Sequence, residues 1–170
     1  MRLPSYVNGS WIEGDGDGVA VRHAITGAPI TTVSSAGIDF SAVLRYGRQT
    51  GGPALRRMSI HERAYLLKAV AKYLLERKEK FYEISAMTGA TRGDSWVDIE
   101  GGIGTVLSLS GIARRELPDE SFIVEGDAER LSAKGSFVGR HILVPKEGVA
   151  VHINAFNFPC WGMLEKIAPS

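Results

Sequence analysis

The stretch Gly148-Val149-Ala150-Val151-His152-Ile153-Asn154-Ala155-Phe156-Asn157-Phe158-Pro159-Cys160-Trp161-Gly162-Met163-Leu164-Glu165-Lys166-Ile167-Ala168-Pro169 decides how the chain is read. Val149, Ala150, Val151 and Ile153 make a short β-rich apolar run, broken only by His152, which predicts a buried central strand. Pro159 suits the first turn of a helix, where a missing N–H leaves nothing unpaired. Asn157 therefore falls at a strand-to-helix corner. Open α/β sheets bind ligands at the carboxyl ends of their strands. A side-chain amide placed there can donate a hydrogen bond to a developing oxyanion. The expected fold class is α/β.

Outward from that corner, composition narrows the function. The chain has 170 residues, 44% of them hydrophobic, and a formal net charge of +1. That length allows one domain with a real core. The near-neutral balance carries no electrostatic footprint for nucleic acid. No apolar run approaches the ~20 residues that span a membrane, and the residues before Tyr6 lack the apolar core of a signal peptide. The single cysteine, Cys160, excludes an intrachain disulfide framework. These features predict a cytoplasmic protein with neither nucleic-acid nor membrane partners.

Toward the N-terminus, Asn8-Gly9 between Tyr6-Val7 and Ser10-Trp11-Ile12 is a strong hairpin signal. Gly14 to Gly18 is a turn cluster, and the acid that a calcium loop would need further on is missing. Val19–His23 and Ile30–Val33 are strand candidates. Asp39 can cap a helix bearing Phe40, Val43 and Leu44, which Gly51-Gly52-Pro53 interrupts. Ser59-Ile60-His61-Glu62 is a capping box opening a long helix to about Met87. Another helix is expected from Asp94 to Leu117. Its glycines, Gly101, Gly102, Gly104 and Gly111, read as close packing rather than a phosphate loop, since no β-run precedes them and the third glycine of the motif is missing. Residues 126–130 read as loop and Gly135–Val144 as strand.

The candidate chemistry is sparse. Asn157 reads either as the oxyanion donor or as a turn and cap residue. Cys160, near a helix start, invites a nucleophilic role, but a buried small residue is the plainer reading. Arg45, Arg48, Arg56 and Arg57 could grip an anionic group such as a coenzyme A phosphate, or simply be solvated. His23, His61, His141 and His152 have no metal-ligand spacing, so no metal is expected.

Asn157-Phe158-Pro159 followed by Lys166-Ile167-Ala168-Pro169 resembles the segment that carries the catalytic asparagine in the aldehyde dehydrogenase superfamily. The longer run from His152 to Lys166 is closer to one branch, that of aerobic phenylacetate degradation, whose members are often fused to a hydratase-like domain. Ser95 to Thr105 resembles the same branch. The resemblance implies that residues 1–170 are an N-terminal fragment of an aldehyde dehydrogenase domain. Its parts would be a β-rich N-terminal arm (6–33), a helical segment (39–117), one strand of an oligomerisation hairpin (135–147), and the first strand and helix of a doubly wound nucleotide-binding domain (148–170). It further implies a homo-oligomer at full length that uses NAD or NADP. The substrate would be a small-molecule semialdehyde carried as a CoA thioester, oxidised to the acid through a cysteine thiohemiacetal. Asn157 would stabilise the oxyanion. Ile153, Asn154, Ala155 and Phe156 would wall the cofactor site, and Lys166 would support the site by hydrogen bonds. The nucleophilic cysteine and the base glutamate of the family lie downstream of this segment. Two alternatives stand beside that reading: a truncated, non-catalytic association module, and a semialdehyde dehydrogenase of a benzoate pathway.

Overall fold

The computed structural model describes residues 2–170; Met1, inside the expected 1–170 span, lies outside it. The chain opens with two hairpins. β1 (Ser5–Val7) pairs antiparallel with β2 (Ser10–Ile12). Asn8 (φ 51°) and Gly9 (φ 84°) turn between them, the positive angles that an Asn-Gly hairpin turn demands. β3 (Val19–Arg22) pairs with β4 (Pro29–Val33).

The helices follow. α1 (Phe40–Tyr46) is capped by Asp39, which accepts from the Ala42 N–H, and a π turn at Gly47–Gly51 leads into α2 (Gly52–Arg56). α3 (Ile60–Leu75) starts on the capping box, with Ser59 accepting from the Glu62 N–H and Glu62 from the Ser59 N–H. The single helix expected to Met87 is instead two: the chain breaks at Glu76-Arg77, and α4 runs Lys78–Met87. Arg77 (φ −114°) leaves helical geometry there. α5 (Arg92–Trp96), a π turn (Val97–Gly101) and α6 (Gly102–Glu116) form one continuous rod.

The core lies between α3 and α6. Ala71, Ile99, Ile103 and Val106 are buried together with Tyr82 from α4. The Ser110 hydroxyl, also buried, donates to the Ala64 carbonyl across that interface at 2.7 Å. α7 (Pro159–Ile167) completes the cluster by inserting Leu164. Beside it, the Tyr82 hydroxyl (2.8 Å) and the Lys78 ammonium (3.0 Å) donate to one oxygen of Glu100.

Two further expectations fail. Residues 126–130 are not loop: β5 (Ile123–Arg130) pairs antiparallel with β6 (Val138–Leu143), with a register shift between Glu125 and Glu129. β5 is solvated along almost its whole length, so it has no buried face to impose an alternating apolar pattern. The second failure is in the deciding stretch. Val149–Ile153 is extended chain without strand pairing, and Val151 and Ile153 are exposed. A strand exists only through hydrogen bonds to a neighbour. All six strands among the described residues are already paired as hairpins elsewhere.

Candidate active-site corner at the start of α7

α7 forms where Pro159 was expected to start it. Proline occupies the first turn, so one of the unpaired N–H groups of a helix start is absent from the outset. Phe158, the capping residue, offers no side-chain hydrogen bond. The next two donors are satisfied from far away in sequence. Asp98, in the π turn, accepts from the Trp161 N–H at 2.7 Å and from the Cys160 N–H at 3.3 Å. Asp98 is only 4% exposed. A carboxylate at a helix N-terminus also meets the positive end of the helix dipole.

Close packing secures the same junction. A Cβ on Gly102 would lie 2.8 Å from Trp161 Cα, so only glycine lets the two backbones approach this way. Gly101 likewise underlies the Trp161 ring. The packing reading therefore holds for these two, whereas Gly104 and Gly111 have nothing within 4 Å of a Cβ position. Trp161 is held from its other edge by Glu165, which accepts from its indole N–H at 2.9 Å.

Asn157 is exposed, two residues before Pro159. It shares a surface hollow of about 440 Å³ with Val97, Ala155, Trp161, Gly162 and Lys166. Asp98 occupies the first free N–H groups of α7, and Asn157 lies exposed just ahead of them. Lys166 donates to the Gly162 carbonyl at 2.7 Å and pairs with Glu165 at 3.5 Å, both on its own helix.

The four residues expected to wall a cofactor divide. Ile153 and Phe156 are 89% and 90% exposed, and Ala155 is exposed too. Asn154 is half-buried beside Gly162, with its Oδ1 buried and unpartnered among the described residues. Cys160 is half-buried, and its thiol is pushed up to about 11, first by burial and then by the Asp98 charge. That raises the cost of forming a thiolate, the opposite of what a nucleophile requires. Of the basic cluster, Arg45 pairs with Asp39 (3.6 Å) and Arg56 with Glu147 (3.7 Å).

Asp98 is the residue that sequence reasoning passed over. Its signal was nonetheless present. Asp98, Gly102 and Val106 recur at helical spacing along a buried face, and a lone carboxylate on such a face needs donors.

The profile of the aldehyde dehydrogenase family matches residues 11–170, and the chain belongs to that family. It is 43% identical, over its whole length, to a 3,4-dehydroadipyl-CoA semialdehyde dehydrogenase of Aromatoleum evansii, covering 33% of that protein. Over 91% of its length it is 28% identical to an N-succinylglutamate 5-semialdehyde dehydrogenase of Chromobacterium violaceum, covering 30% of it. The chain thus spans about a third of the length of the curated relatives it matches. Among solved structures, an NADP-dependent enzyme of E. coli superposes with a TM-score of 0.74 at 17% identity, over 99% of this chain and 33% of that one. A betaine aldehyde dehydrogenase double mutant of Staphylococcus aureus in complex with NAD+ superposes with a TM-score of 0.60 at 15% identity, over 75% of this chain and 26% of that one. The fold is that of the N-terminal portion of an aldehyde dehydrogenase, with mixed helices and strands.

Proposed function

From membership of the aldehyde dehydrogenase family, we propose that this chain supplies the oxyanion corner of an enzyme that oxidises a CoA-linked semialdehyde to its acid with NAD or NADP. The observation that carries the proposal is the placement of Asn157. It is exposed and lines the hollow, immediately ahead of a helix whose own first donors are taken. A neutral N–H donor held at such a place stabilises negative charge that develops only as a nucleophile adds to the aldehyde carbonyl. The nucleophile in this reading is a downstream cysteine, since the shifted Cys160 thiol is poorly suited to attack.

We infer that a nicotinamide cofactor would bind beside this corner. Asn154 Oδ1 is a buried acceptor without a partner among the described residues, and a small turn of that side chain would present it to a hydroxyl such as a ribose provides. Ile153, Ala155 and Phe156 offer apolar surface of the kind that walls ligand sites. When bound, the cofactor supplies the hydride acceptor. Lys166, tethered to Gly162, lines the same hollow.

The relative from Aromatoleum evansii supports a CoA-linked semialdehyde as the substrate class. The finer assignment, a ring-opened semialdehyde of phenylacetate catabolism in the cytoplasm, rests on the runs Ser95–Thr105 and His152–Lys166. Rates on a panel of CoA-linked aldehydes separate it from the benzoate-pathway alternative. In the full-length protein, Asn157→Ala is expected to lower kcat by ~10²–10³-fold, with KM for the cofactor little changed. An undiminished kcat would refute the role of Asn157.

One observation favours a second reading, a non-catalytic association module: Ile153 and Phe156 stand exposed beside an unpaired extended segment. Residues 1–170 alone are expected to produce no NAD(P)H from an aldehyde, and steady production above an Asn157→Ala control would overturn that expectation.

A further inference from the structure

We propose that Asp98 is a positioning residue for Asn157, fixing the start of α7 so that the Asn157 amide holds one orientation toward the hollow. The proposal rests on the reading of Asn157 as the oxyanion donor. Asp98 touches neither the hollow nor Asn157, so it acts through the helix start. Its two carboxylate oxygens take two successive N–H groups, of Trp161 at 2.7 Å and Cys160 at 3.3 Å. Two bonds to adjacent residues set the direction of the helix start as well as its place. Asn157 is only three residues before Cys160, across the rigid ring of Pro159.

On the other side of the corner the contacts are side-chain ones: Arg56 pairs with Glu147 at 3.7 Å, Val149 lies against Gly47 and Asn154 against Gly162. Among the described residues, no backbone hydrogen bond outside helices and strands involves residues 145–157, and Val149–Ile153 is unpaired. Among the described residues, the backbone hydrogen bonds nearest to Asn157 are therefore those at the start of α7. The base of the clamp is stiff: Asp98 sits in the π turn between α5 and α6, beside Ile99, one of the most deeply buried side chains. π turns inside helices are frequent at functional sites, and this one carries a buried carboxylate.

The test is a double-mutant cycle in the full-length protein. Asp98→Ala is expected to lower kcat, by up to about 100-fold, since a misplacement of the order of 1 Å costs that much in catalysis. Added to Asn157→Ala, it is expected to lower kcat no further, because the group it positions is already gone. Asp98→Asn keeps one acceptor oxygen and should fall between the parent and Asp98→Ala. It also provides the measurement if Asp98→Ala does not fold. Hydrogen exchange at the Cys160 and Trp161 amides should accelerate in both Asp98 variants. If Asp98 substitution slows the parent and the Asn157→Ala enzyme by the same factor, Asp98 is only structural and the positioning role is refuted. Unchanged exchange at both amides would refute the clamp itself. An Asn157→Ala enzyme as fast as the parent is a separate result: it removes the oxyanion reading, and the positioning role with it.

Discussion

Alanine at Gly102 and alanine at Gly104 are expected to change stability in opposite directions, although both sit on α6. At Gly104 a Cβ would meet nothing within 4 Å. Alanine there removes the conformational cost of glycine in a helix and should stabilise by up to ~1 kcal/mol. At Gly102 the same atom would lie 2.8 Å from Trp161 Cα, 3.1 Å from Trp161 N and 3.4 Å from Cys160 C. These are backbone atoms, so no side-chain rotation relieves the contact. α7 must withdraw by roughly half an ångström or more to reach ordinary van der Waals distance, against a core that does not deform freely. Overpacking of this kind costs ~1–3 kcal/mol, and the helix gain returns ~1 kcal/mol of it. The net effect is expected to lie between neutral and ~2 kcal/mol destabilising. In a chain of this size ~1 kcal/mol moves Tm by ~2–4 °C. Thermal unfolding followed by circular dichroism should therefore place Gly104→Ala above the parent and Gly102→Ala at or below it. Equal rises in Tm for the two variants would mean that α7 does not rest on the π turn as described, and the Asp98 clamp would lose its geometric basis.

Two further outcomes follow from the charges. Cys160, with its thiol pushed up to about 11 by burial and Asp98, should react with an alkylating reagent at mildly alkaline pH far more slowly than a free thiol; Asp98→Asn should speed the reaction only in part, because burial is the larger cause, and a rate equal to that of the unfolded chain would refute the shielding. Glu100 has its carboxyl held below its ordinary value of 4.5, first by the Tyr82 hydroxyl and then by the Lys78 ammonium. A carboxylate depressed in the folded state stabilises above its unfolded pKa and loses that contribution as pH falls through its folded one. Denaturant midpoints measured from neutral pH downward should thus fall below about pH 4.5 more steeply in the parent than in Glu100→Gln, and parallel acid limbs would show that Glu100 contributes nothing there.

The parts of the fold that can be read from sequence are those whose hydrogen bonds close locally. Asn8-Gly9 takes the positive φ angles of its hairpin, and Ser59 and Glu62 satisfy each other's backbone within one turn. Pro159 starts a helix because its ring angle and missing N–H suit that place alone. The parts that escape depend on distant partners or on none. β5 is polar and solvated, so neither period of hydrophobicity marks it. The break at Arg77 comes with no glycine or proline beside it to announce it. Asp98 lies sixty-two and sixty-three residues from its donors, and only the oddity of a carboxylate on an apolar helical face could have raised it.

The deciding stretch shows why its two halves differ. A helix satisfies its own backbone, so α7 needs only a partner for its first donors and a surface for Leu164, and Asp98 and the α3–α6 core provide both. A strand satisfies none of its backbone alone. Val149–Ile153 therefore keeps its β-rich composition without becoming a strand. Fully burying Ile153 or Phe156 would be worth ~1.5–3 kcal/mol each, and no described residue covers either. The corner is thus held by hydrogen bonds on the α7 side, through Asp98, and by side chains on the other, through Arg56 with Glu147 and Val149 against Gly47. On the proposed positioning role of Asp98, any surface that comes to cover Ile153 and Phe156 meets an Asn157 already oriented through α7, so docking there should stiffen the corner rather than build it.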